Sequence, residues 1–128
     1  MNKALLAAFA GLVSALPAMV HACGACDEDK VAATYDHAIV TRAAAKHQLV
    51  VFGAIDGAVD ARAVGGKIVV AAQQVKGVAR GSVHTSVDPA AFSFVLDPHA
   101  QTPEAATAEL ERRLGVDDVR LAVIRVMH

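Results

Sequence analysis

Apolar and polar positions along this chain switch between two periods, and the switches mark out its elements. From Lys30 to about Lys46 there is no Gly or Pro, and Val31, Tyr35, Ala38, Ile39 and Arg42 recur on one side at helical spacing, which predicts a helix with a modest apolar stripe. Asp27, Glu28 and Asp29 before it, and Arg42, Lys46 and His47 at its end, suit the helix dipole. Leu49 to Ile55 (LVVFGAI) is short, apolar and partly β-branched, so it reads as a buried strand, which Asp56-Gly57 ends. A second helix is expected from about Asp60 to Lys76, where Val64, Ile68, Ala71, Ala72 and Val75 repeat at helical spacing before Gly77. Gly65-Gly66 inside it costs about 1 kcal/mol per glycine against alanine, and close backbone packing is the expected reason for the pair.

Beyond Gly77, SVHTSV (82 to 87) and AFSFVL (91 to 96) each alternate polar with apolar residues on either side of Asp88-Pro89. That is the pattern of a hairpin. Thr102-Pro103-Glu104 combines a capping hydroxyl, a first-turn proline and an acid, a strong helix start. Ala106, Leu110 and Leu114 then fall four apart, and Gly115 closes the helix. Val119 to Met127 reads as a last strand. The order from Leu49 is therefore β-α-β-β-α-β, and the expected fold is α+β, a ferredoxin-like sandwich with an additional N-terminal helix. The first strand is apolar on both faces, Val50 and Phe52 against Leu49, Val51 and Ile55. A sheet wet on one side does not look like this. The extra helix is expected to cover the second face at least in part.

The amino terminus changes this picture. Lys3, the apolar run Leu5 to Leu16, Pro17 and the small-residue pattern Val20-His21-Ala22 read as a signal peptide. The run is too short for a permanent membrane helix. Residues 1–22 are thus expected to be cleaved, leaving a CxxC segment with its helix (23–47) and a ferredoxin-like domain (48–128) in a periplasmic or secreted protein. A net charge of -1, 4% aromatic residues and no basic block exclude nucleic acid as an expected partner. Val-His-Ala-Cys is also an imperfect lipidation signal, since His21 is bulky and polar. A lipoprotein anchored at Cys23 is the alternative, and only then is a membrane expected as a partner.

Residues 49 to 115 resemble a heavy-metal-associated domain, the βαββαβ module of soft-metal carriers. The matching features are Lys76-Gly77-Val78, FSFVLDP (92 to 98) and TPEAATAELERRLG (102 to 115). That family's metal loop, GMTCxxC, lies between the first strand and first helix, and counting back from Gly77 puts its two cysteines at Ala61 and Val64. Neither side chain ligates a metal. The resemblance thus implies a degenerate scaffold, and a scaffold alone does not carry a function.

A CxxC nevertheless exists, displaced to Cys23 and Cys26, the chain's two cysteines. Three readings compete. Paired thiolates suit Cu(I) or Zn, although structural zinc wants four ligands. The rest would come from His37, the amino group of Cys23, nearby acids or a second chain. His37 stands eleven residues after Cys26, and an intervening helix rises about 15 Å or more, so it serves only if the chain folds back. Dithiol redox chemistry is the second reading, because Cys-Gly-Ala-Cys precedes a helix whose amino terminus favours a thiolate; three adjacent carboxylates oppose it. A plain disulfide between Cys23 and Cys26 is the third, worth roughly 2 kcal/mol in the chain-entropy model for so short a loop. No Ser-His-Asp set, phosphate loop or catalytic carboxylate pair is present, so no catalytic residue is assigned. The leading expectation is an exported soft-metal-binding or metal-handling protein, working with a metal-transport or other periplasmic protein. A non-catalytic interaction module with a structural disulfide is the alternative, followed by a dithiol redox protein.

Overall fold

The computed structural model describes residues 26–57 and 60–128; the expected signal peptide and Cys23 lie outside them. Two short helices, α1 (Asp27–Thr34) and α2 (His37–Ala45), lead into β1 (Leu49–Asp56). There follow α3 (Ala61–Ala72), β2 (His84–Val87), β3 (Ala90–Leu96), α4 (Pro103–Leu114) and β4 (Arg120–Met127). The four strands form one antiparallel sheet in the order β2-β3-β1-β4. This is the ferredoxin-like α+β arrangement that the order of elements predicts, with added helical structure ahead of β1.

That added structure differs from the single helix expected over Lys30 to Lys46. Tyr35 (ψ 130°) and Asp36 (ψ 113°) leave the helical region and divide it. Asp36 then caps α2, its carboxylate accepting from the Ile39 amide at 3.1 Å. Neither glycine nor proline is needed, because a capping aspartate offers the backbone an alternative to the helix.

β1 lies between β3 and β4 and is buried along nearly its whole length. Its side chains alternate between two cores. Val51 and Ile55 join Phe92, Phe94, Leu96 and residues of α3 and α4 on one face. Val50 and Phe52 join Val95, Val31 of α1 and Ala43 of α2 on the other. The second face is therefore covered by the amino-terminal helices, as the doubly apolar β1 requires.

Two glycines permit close approaches. A Cβ on Gly53 would stand 2.0 Å from Cζ of Phe92, its direct cross-strand partner, so the ring lies over the bare backbone. One on Gly65 would meet Thr85 Oγ1 at 3.2 Å, whereas Gly66 faces open space. Close packing thus accounts for the first glycine of the pair alone.

Two other boundaries differ from expectation. α3 ends at Ala72, and the chain reaches Gly77 through tight turns, Gln74 N to Ala71 O and Val75 N to Ala72 O. β2 begins at His84 rather than Ser82, because the Ser82 hydroxyl takes the place of a ladder carbonyl. It accepts from the Val95 amide at 3.0 Å.

A register shift in the β1–β4 pairing sets the next level. Leu121 pairs with Ile55 and Val123 with Gly53, but Arg125 pairs with Phe52. One extra residue, Ile124, is accommodated there as a bulge. Strict alternation from Leu121 and Val123 would leave Arg125 on the α3/α4 face. The bulge moves it to the face that carries α1.

Candidate functional site

Cys26 occupies the N-cap of α1 and is exposed. Its carbonyl accepts from the Asp29 and Lys30 amides at 3.1 and 3.2 Å, so the backbone here is already committed to the helix. Its side chain makes no capping bond. Instead the thiol donates to Oδ2 of Asp29 at 3.4 Å, within the range expected for sulfur. The thiol and this carboxylate thus share one side of the first turn.

Three contacts fix the helix that presents this thiol. Val31 is buried at 5% exposure against the second core. The Thr34 carbonyl, at the far end of α1, accepts from the Ser93 hydroxyl of β3 at 3.2 Å. Glu28, two residues after Cys26, meets the Arg125 guanidinium of β4 through both carboxylate oxygens. Hydrogen bonding to Arg125, then its charge, holds the Glu28 carboxyl below its ordinary range; the same pairing holds Arg125 above its own. One of the three first-turn acids is therefore neutralised by a partner across the fold, whereas Asp27 and Asp29 form no ion pair among the described residues.

His37 stands at the other end of α1, beyond Tyr35 and Asp36. It shares a 3.3 Å hydrogen bond with the Tyr35 hydroxyl through Nδ1, and both side chains are exposed. Eight residues of helix separate it from Cys26, a rise of about 12 Å. The structure does not bring the two together. Among the described residues no group of three or more His, Cys, Asp or Glu is placed to hold a metal ion. Cys23, the other half of the CxxC, lies outside the described residues.

Ala61 and Val64, the positions to which the resemblance assigns ligands, lie in the first turn of α3. Asp60 caps α3, accepting from the Arg62 and Ala63 amides at 3.0 and 3.3 Å. Ala61 is the first helical residue, and Val64 is 4% exposed within the α3/α4 core. A core valine and a cap leave no donor for a soft ion at these positions. Sequence reasoning found Cys26 but missed Arg125, the residue that anchors its helix. Only the charge complement between residues far apart in the chain signalled that contact, and many such pairs exist on paper.

No helix among the described residues is long and apolar enough to cross a membrane. The chain matches none of the protein-family models, curated proteins or solved structures with which it was compared.

Proposed function

We propose that this is an exported metal-handling protein that takes a soft ion, Cu(I) or Zn, on the thiolates of Cys23 and Cys26. The observation that carries this reading is the presentation of Cys26. Its thiol is exposed at the start of a helix held to the sheet by Val31, Thr34 and Glu28. Two intervening residues let a second sulfur reach the same ion, and thiolates select soft metals over hard ones. A pair of sulfurs is half of a tetrahedral zinc site, whereas Cu(I) accepts two or three ligands; the donor set fits copper better. Open coordination at the tip of a fixed helix suits passing an ion to another periplasmic protein rather than storing it. In this reading the scaffold descends from the heavy-metal-associated domain but carries its ligands elsewhere. A lipidated Cys23 would remove one sulfur and place the protein on a membrane instead.

The burial of Val64 supports a second reading, a non-catalytic interaction module whose two cysteines form a plain bridge. Reduced protein with its native amino terminus, titrated with Cu(I) against a chromophoric chelator, separates the two. Metal handling predicts about one ion bound per chain, lost in Cys23→Ser and in Cys26→Ser. Binding that persists in both variants, or none with both thiols reduced, overturns the proposal. Mass spectrometry of the native amino terminus reports cleavage, lipidation and bridge formation together. A reduction potential well above that of inert bridges, with disulfide-reductase activity, would move the assignment to dithiol chemistry.

A further inference from the structure

A cleft of about 170 Å³ lies between α2 and the turn that precedes β2. Ile39 and Val95 supply apolar wall, and Arg42, Lys46 and Arg80 bring three cations to it. No Asp or Glu lines it. None of the three cations forms an ion pair among the described residues, and residues 1–25 and 58–59 contain no Asp or Glu. No carboxylate therefore pairs directly with the positive charge of the cleft.

The helix dipole gives an ordinary reason for Arg42 and Lys46, which sit in or just after the last turn of α2. It gives none for Arg80, which is on no helix. Arg42 and Lys46 are also spaced four apart on one helical side, where like charges repel, and a third cation adds to that cost. The turn bearing Arg80 is held in place. The Ala79 amide donates to the Val95 carbonyl at 3.0 Å, the Ser82 hydroxyl donates to the Ala79 carbonyl at 2.6 Å, and that same hydroxyl accepts from the Val95 amide. Gly81 takes φ 73° to close it, a conformation that glycine adopts without strain. Like charges brought to one cleft from two elements, beside the apolar wall of Ile39 and Val95, form a receptor for negative charge.

We propose that this cleft binds a small organic anion bearing two or more carboxylate or phosphate groups. The anionic groups pair with Arg42, Lys46 and Arg80, arginine favouring two-pronged contact with such oxyanions, and the carbon skeleton rests on Ile39 and Val95. The inference does not depend on Cys23 or Cys26; the described one, Cys26, occupies the N-cap of α1 and does not line this cleft.

Citrate and inorganic phosphate are the probes, each titrated at constant ionic strength into the isotopically labelled protein and followed by amide NMR shifts. Saturable shifts confined to Ile39–Gln48, Ala79–Ser82 and Val95 are expected with citrate, with weaker binding of phosphate, which has no carbon skeleton. Arg80→Gln is expected to weaken citrate about tenfold while leaving the rest of the amide spectrum in place, since the side chain is exposed. Arg42→Gln/Lys46→Gln is expected to weaken it further. Shifts that fail to saturate, that spread over the whole surface, or that persist unchanged when Arg42→Gln, Lys46→Gln and Arg80→Gln are combined overturn the proposal.

Discussion

Glu28 and Arg125 lie 97 positions apart in the chain and meet as a two-pronged ion pair, Nη1 to Oε2 and Nη2 to Oε1. The contact ties the first turn of α1, and with it Cys26, to the edge strand β4. The Glu28 carboxyl is held below its ordinary 4.5 by Arg125. A group lowered in this way contributes fully above its ordinary value, and the contribution is lost as pH falls through the lowered one. Amide-exchange protection of α1, corrected for intrinsic rates, is therefore expected to fall below about pH 4.5 while β1 remains protected. Glu28→Gln is expected to lower α1 protection at neutral pH and to flatten this acid response. Unchanged α1 protection in that variant would show that the pair does not hold the helix.

Gly53→Ala tests the contact with Phe92. The new methyl would overlap the ring at Cζ, and both residues lie deep in the sheet, where neighbours have little room to move. A loss of about 1–3 kcal/mol is expected in urea unfolding. Adding Phe92→Leu to Gly53→Ala should cost less than Phe92→Leu costs alone, a coupling that a double-mutant cycle reads directly.

Asp36→Ala removes the cap that begins α2. The expected loss is about 1 kcal/mol, with Asp36→Asn close to the parent because the amide oxygen still accepts from Ile39. Equal stability in the alanine variant would mean that packing alone sets the break between the two helices.

Thr34 is 5% exposed, and its Oγ1 has no hydrogen-bond partner among the described residues. A buried hydroxyl without a partner forfeits its hydration for nothing. Thr34→Val is expected to raise stability by about 1 kcal/mol; Thr34→Ser keeps the hydroxyl, loses a methyl and should be less stable than the parent. A destabilised valine variant would reveal a partner for the hydroxyl, such as a bound water.

The sheet and its two following helices were legible because each carries a local signal. Thr102-Pro103 announces α4, and its predicted cap is present, Thr102 Oγ1 accepting from the Ala105 amide at 3.1 Å. The doubly apolar β1 announced a covering layer on each side. The split at Tyr35–Asp36 was less legible, since Val31, Tyr35 and Ile39 keep helical spacing straight through it. The capping aspartate was the signal, and it weighs little against an unbroken apolar stripe. Ser82 was misread as strand because its hydroxyl imitates a backbone acceptor. At the candidate site, the exposed cysteine and its acids were readable, but their fastening was not. Arg125 faces α1 only because Ile124 bulges, and one inserted residue in a ladder leaves no mark in an alternating pattern.

Coverage of both sides of β1 has a consequence for how this protein is cut. A cut between α2 and β1 would spare every strand, yet release of the two helices after it would bare Val50, Phe52 and Val95 in one apolar patch, the kind of surface that drives self-association. The thiol-bearing arm is thus no detachable tag. Losing it would forfeit colloidal integrity along with the sulfur, so the shortest fragment fit for handling must keep α1.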